Sequence, residues 1–269
     1  MYENLGIAFL FTLIAGLSTG IGSAISFFAK SDNTKFLSAS LGFSAGVMIY
    51  VSLVEIFYKA QTSLQQVLGK KDGAIVTVIA FFGGMLFIAL IDKLIPSHSN
   101  PHEIKEIDED EVDSSYQDKS KLLRTGVFTA LAIAIHNFPE GLATFVSALK
   151  DPKLAIPIVV AIAIHNIPEG IAVSVPVYYA TGSKKKAFLF SFLSGLSEPI
   201  GAAFGFLILM PFMNDMVYGI LFASVAGIMV FISLDELLPT AEEYGEHHLA
   251  MYGVVMGMIV MAVSLLLFL

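Results

Sequence analysis

The chain has 269 residues, 56% hydrophobic and 14% charged, with a net charge of −8. A soluble domain carries about 25% charged residues, so this composition, with a mean hydropathy of +0.78, places the chain in a membrane. The lack of cysteine excludes disulfides and thiolate metal sites, and the lack of a basic face excludes nucleic acid as an expected partner.

A helix needs about 20 mostly apolar residues to cross the hydrocarbon core. Eight stretches qualify, at 5–28, 36–58, 74–95, 125–149, 154–179, 186–211, 216–240 and 249–269. The expected fold class is all-α, a single transmembrane domain over 1–269 surrounded by lipid. The first span lacks a basic leader and a small-residue cleavage pattern, so it is read as retained. Residues 97–124, between spans 3 and 4, are acidic, polar and poor in aromatics, which predicts a mobile loop. His98 and His102 could collect metal there, although charge runs usually only solvate.

Orientation follows from lysine and arginine in the loops. The loops after spans 1, 3 and 5 hold Lys30, Lys35, Lys93, Lys105, Lys119, Lys121, Arg124, Lys184, Lys185 and Lys186. Those after spans 2 and 4 hold fewer: Lys59, Lys70, Lys71, Lys150 and Lys153. The odd loops, including the acidic one, are therefore predicted to be cytoplasmic, with both termini outside.

Three pairs of spans repeat each other. AIAIHNFPEG from Ala132 matches AIAIHNIPEG from Ala161, in spans 4 and 5. GLSTGIGSA from Gly16 matches GLSEPIGAA from Gly195, in spans 1 and 6. AGVMIYVSLVE from Ala45 matches AGIMVFISLDE from Ala226, in spans 2 and 7. Paired spans differ by an odd number in order, so each pair is inverted across the membrane. Such inverted repeats recur in alternating-access transporters.

The two central spans carry His136, Glu140, His165 and Glu169 among apolar residues. An ionisable residue at mid-bilayer costs about 2.5–3.5 kcal/mol on insertion scales and stays where it is paired or functional. The i,i+4 spacing puts each histidine and glutamate on one helix face, about 5–6 Å apart at Cβ. Asn137 and Asn166 lie beside them. Pro139 and Pro168 leave the carbonyls of Ile135 and Ile164 without a helical donor and predict kinks. Imidazole and carboxylate suit Zn²⁺ and also Fe²⁺ or Mn²⁺. The competing reading is a structural pair of His–Glu hydrogen bonds. Glu198 in span 6, also followed by proline, is a further candidate. Glu55 and Glu236 are repeat-related and read equally as vestibule ligands or interfacial carboxylates. Asp235 is weaker, and Glu243 with His247 is more simply a solvated face.

The paired HN-x-PEG motifs, the eight spans and the polar loop after span 3 resemble the ZIP (Zrt-, Irt-like) metal transporters, in particular their bacterial branch. The resemblance covers essentially the whole chain. It implies a 3+2+3 helix bundle and a binuclear centre between spans 4 and 5. The first metal would lie among His136, Glu140, His165 and Glu169. The second would lie among Asn137, Asn166, Glu169 and Glu198, with Glu169 bridging. It implies uptake into the cytoplasm across the bacterial inner membrane, with spans 1, 4, 5 and 6 moving against the others. Zinc would be the cargo, with iron, manganese, cobalt and cadmium also handled. Many family members have aspartate at the position of Asn166, so the second site here has one less negative charge. A homodimer is compatible with this reading. The rivals are an intramembrane metalloenzyme, whose HExxH string is absent, and a metal-conducting channel.

Overall fold

The computed structural model describes residues 2–26, 34–94, 114–212, 214–243 and 247–266, and every regular element among them is helical. Eight rods result. α1 is Leu5–Ser26. α2 joins Thr34–Val51, a π turn at Ser52–Ile56, and Phe57–Leu68. α3 is Lys70–Leu94, α4 is Ser114–Lys150 and α5 is Pro152–Thr181. α6 joins Lys184–Gly195 and Ser197–Phe204, followed by a π turn at Gly205–Leu209. α7 joins Asp215–Ile232, a π turn at Ser233–Leu237, and Leu238–Glu243. α8 is His247–Leu266.

Seven of these are long and apolar enough to cross a membrane. α4 takes the eighth place. Its histidine, asparagine and glutamate lower its hydropathy, and its neighbours α1, α5 and α6 shield it from lipid. Local chemistry sets the ends. Gly69 (φ 85°) and Gly182 (φ 65°) close α2 and α5 in the left-handed region, which glycine enters without a Cβ penalty. Asp151 caps α5 by accepting from the Lys153 N–H at 2.9 Å, with Pro152 in the first turn. Asn214 caps α7 in the same way, accepting from the Val217 N–H at 2.9 Å.

Lipid offers no hydrophobic drive for helix association, so close packing must supply it. Glycine supplies it here, with the symmetry of the repeat. A Cβ on Gly22 of α1 would overlap the Ile167 carbonyl of α5, and one on the repeat-related Gly201 of α6 would overlap the Phe138 carbonyl of α4. Gly170 meets the Thr19 carbonyl, and its counterpart Gly141 meets that of Glu198. Gly16 and Gly195 face each other on the pseudo-axis. The same rule joins α2 to α8 through Gly46 at the Val254 carbonyl, and α7 to α3 through Gly227 at the Phe81 carbonyl. The fold is thus two glycine-locked blocks, α1/α4/α5/α6 and α2/α3/α7/α8. Between them lies an apolar seam that includes Leu41 and Met48 of α2, Ile171 and Val175 of α5, and Met229 and Ile232 of α7.

The structure moves some boundaries. α2 runs on to Leu68, so Lys59 is a helical residue and not a loop residue; the segment from Phe57 continues the helix as an amphipathic stretch. α4 begins at Ser114, so residues 114–124, expected in the loop, are helical. The rest of that loop, with His98 and His102, lies outside the described residues. Both helices run through Pro139 and Pro168 without interruption. α6 is divided at Leu196, two residues before Glu198. The repeat-related π turns of α2 and α7 were not visible as such in the sequence. In each, the N–H following the turn reaches back to a serine carbonyl, Phe57 to Ser52 and Leu238 to Ser233.

Overpacking a close-fitted core costs about 1–3 kcal/mol, and more where the obstacle is backbone. Gly22→Ala and Gly201→Ala should each sharply reduce the yield of monodisperse protein extracted in detergent. Gly83→Ala, where a Cβ meets nothing within 4 Å, should leave that yield unchanged.

Candidate metal centre

Seven predicted ligands converge in the α1/α4/α5/α6 block. His136, Asn137, Glu140, His165, Asn166, Glu169 and Glu198 are all at most 2% exposed. The i,i+4 spacing holds within each helix, but the polar contacts run between helices. His136 Nε2 meets Glu169 Oε1 at 3.1 Å, and His165 Nε2 meets Glu140 Oε1 at 3.1 Å. Residues 136 and 165, and 140 and 169, are repeat partners, so the two contacts are one interaction seen twice. They join α4 to α5 at the centre of the bundle.

These pairs are what the structural reading of the motif expects. Among the described residues, no three imidazole or carboxylate side chains are gathered as a bound ion would hold them. The other atoms of the cluster go beyond that reading. Asn137 Oδ1, Asn166 Oδ1, Glu169 Oε2 and Glu198 Oε2 are all buried and accept no hydrogen bond, and Asn137 Nδ2 also lacks a partner. A buried polar atom left unsatisfied costs about 1–3 kcal/mol, so four such oxygens in one cluster are a substantial penalty. Two come from carboxylates and two from amides. That is a hard oxygen donor set of the kind that holds a divalent cation.

Within the centre the repeat is broken at Glu198. Asn166 Nδ2 donates to the Ala15 carbonyl at 3.0 Å and to Glu198 Oε1. The counterpart of Glu198 is Thr19, so Asn137 faces no equivalent carboxylate. Glu198 owes its position to the break in α6, which places it in the first turn of Ser197–Phe204. There Ser197 Oγ donates to the Ser194 carbonyl at 2.5 Å.

The weaker candidates separate. Glu55 lies in the π turn of α2 on the wall of a cleft lined by Val51, Ile56, Lys59, Glu140, Thr144 and Phe222, among others. This cleft runs from Glu140 toward the membrane face that carries Gly69, Asp151 and Asn214. Asn4 Nδ2 donating to the Leu149 carbonyl at 3.2 Å, and Ser63 Oγ to that of Asp215 at 2.9 Å, bring the N-terminus and these turns together at one end. Glu236 and Asp235 lie in the π turn of α7, toward the opposite face. Glu243 is exposed at the end of α7, and His247 opens α8. Sequence reasoning missed Lys59 and Thr144 as cleft residues. Lys59 follows Glu55 and Thr144 follows Glu140 by four, a spacing that held the signal.

Comparison with known proteins follows the same lines. The model of the family described as ZIP zinc transporter matches residues 93–265. The zinc transporter ZupT of Streptococcus mutans is 67% identical over 268 residues, covering all of both chains. The ZupT of Clostridium perfringens is 64% identical over 99% of this chain and 97% of its own. That of Chlorobaculum parvum is also 64% identical, over all of both chains. These relatives are transporters, which sets aside the metalloenzyme rival. The paired motifs, the inverted glycine-locked bundle and the full-length similarity together make this multi-pass membrane protein a member of the ZIP family.

Proposed function

We propose that the chain takes up zinc, carrying Zn²⁺ into the cytoplasm by alternating access through a two-metal centre between α4 and α5. The observation that carries this is the set of unpaired buried oxygens on Asn137, Asn166, Glu169 and Glu198. The family resemblance groups the same four residues around the second metal. The His–Glu pairs supply the first site, with each imidazole nitrogen and its carboxylate sharing one ion in place of a hydrogen bond. Glu169 belongs to both sets and would bridge.

Alternating access is supported by how the two blocks meet. The cleft lies between α4/α5 of one block and α2/α7 of the other, and Glu140 is part of its lining. The apolar seam that includes Leu41 and Ile232 is continuous with this lining, sharing Val51 and Val225 with it. With the loops oriented by their basic residues, the cleft faces outward. Each block is stiffened by backbone contacts at glycine, while the seam holds apolar side chains that can slide. The chain would work as one transport domain in a bacterial inner membrane, with both termini outside and the acidic loop in the cytoplasm. Nitrogen and oxygen ligands without thiolate also admit Fe²⁺, Mn²⁺, Co²⁺ and Cd²⁺ as secondary cargo.

Glu169→Ala should reduce zinc flux into proteoliposomes to background while the protein still assembles. Normal flux by a well-folded variant would refute the bridging role. Wild-type flux should saturate with zinc, whereas unsaturable flux would favour a channel.

Asn166→Asp should raise the charge of the second set at the expense of the ion-free state. It removes the donor to Glu198 and sets two carboxylates together in a buried site. In detergent, its melting temperature should fall by several degrees without zinc, and zinc should raise it by more than in the parent. Equal melting of the two proteins without zinc would count against this.

A further inference from the structure

The cleft is apolar except at two levels. At its floor stands Glu140, with Thr144 one turn away. At its mouth stand Glu55 and Lys59, also one turn apart and joined as an ion pair between Lys59 Nζ and Glu55 Oε1. Val51, Ile56, Ala143, Ile158, Ile162, Phe222 and Val225 make up the remaining lining. A dication entering such walls loses water that they cannot replace, a cost of tens of kcal/mol for an unmatched charge. The first carboxylate on the route therefore decides whether it enters. That carboxylate is Glu55, and a lysine already occupies it.

We propose that Glu55 is the first binding station for the incoming divalent cation and that Lys59 is a tethered competitor, which the ion must displace before passing to Glu140. This rests on the transport reading above and names a step outside the two-metal centre.

Three features support it. Thr144 is wholly buried, lines the cleft beside Glu140, and its Oγ1 has no hydrogen-bond partner. Glu55 sits in a π turn, a local widening of the helix that is frequent at functional sites. The repeat, lastly, isolates the lysine. Glu236 stands where Glu55 does, in the matching π turn of α7, but the residue four positions on is Thr240. The repeat therefore keeps the carboxylate at both positions, and a lysine follows it one turn on in α2 alone of the two.

The pair acts as a charge filter. A monovalent cation gains no more from Glu55 than the ammonium does, and it lacks the advantage of the tether. A divalent cation gains twice the Coulomb attraction and displaces the lysine, which swings out at the partly exposed mouth. The affinity of the first encounter is thus lowered by a fixed margin, in return for rejecting Na⁺ and K⁺.

The test is initial-rate ⁶⁵Zn²⁺ uptake by cells expressing the full chain at matched surface levels, with potassium as competing ion. Lys59→Met should lower KM for zinc by about two- to fivefold, the range expected for removing a part-exposed ion pair, and should make uptake more sensitive to 0.1–1 M K⁺ (roughly the range where exposed charges are screened). Glu55→Gln should raise KM by about tenfold. In the double variant the Lys59 effect should vanish. An unchanged KM in Lys59→Met, or a full Lys59 effect in the Glu55→Gln background, overturns the proposal. Zinc-induced thermal stabilisation of the purified variants keeps this separate from the central site: its loss in Glu55→Gln would make Glu55 structural and also overturn the proposal. Failure of the transport reading has its own mark, namely no zinc uptake by the parent or an unaffected Glu169→Ala.

Discussion

The reciprocal contacts of His136 with Glu169 and His165 with Glu140 are the point from which the rest of the molecule can be understood. Four ionisable groups at the centre of a bilayer cannot each stay alone, because lipid offers no compensating dipole. Pairing them across α4 and α5 meets that demand and forces the two helices together at one depth. Because α4 and α5 are copies running in opposite directions, one pair generates the other. The remaining acceptors, on Asn137, Asn166, Glu169 and Glu198, are left without donors by the same arrangement. The site is therefore stable enough to fold, yet still short of positive charge.

Glycine turns this local symmetry into a mechanical one. At α1 against α5, α6 against α4, α2 against α8 and α7 against α3, backbones approach so closely that no Cβ fits. Such contacts have a single geometry, so each block is stiff. The seam between the blocks holds apolar side chains, whose dispersion attraction is non-directional and survives sliding. Stiffness within blocks and slip between them is the combination that alternating access requires.

The departures from symmetry fall where direction matters. Glu198 faces Asn166 where Thr19 would stand opposite Asn137, so one half of the centre holds an extra carboxyl group. Lys59 sits beside Glu55 where Thr240 follows Glu236. A perfect two-fold transporter would present the same surface to both sides of the membrane. These substitutions make the two halves of the molecule chemically different without altering the helix framework that the repeat imposes.

Much of this was legible in the chain itself. Hydropathy determines the number of spans, because crossing lipid demands about 20 apolar residues whatever surrounds them. The duplicated HN-x-PEG determines which helices are central, because polar groups at that depth have no other excuse. Their spacing also determined that His136 and Glu140 share a face. What spacing could not decide is which carboxylate each imidazole meets, since that depends on how α4 lies against α5. The tertiary structure chose the partner on the other helix. It also turned Lys59 from an assumed loop residue into a cleft residue, because α2 continues past the span that hydropathy marks. It also divided α6 at Leu196, which no residue there announces. Each of these is a matter of contact between segments far apart in sequence, and one-dimensional periodicity carries no record of such contact.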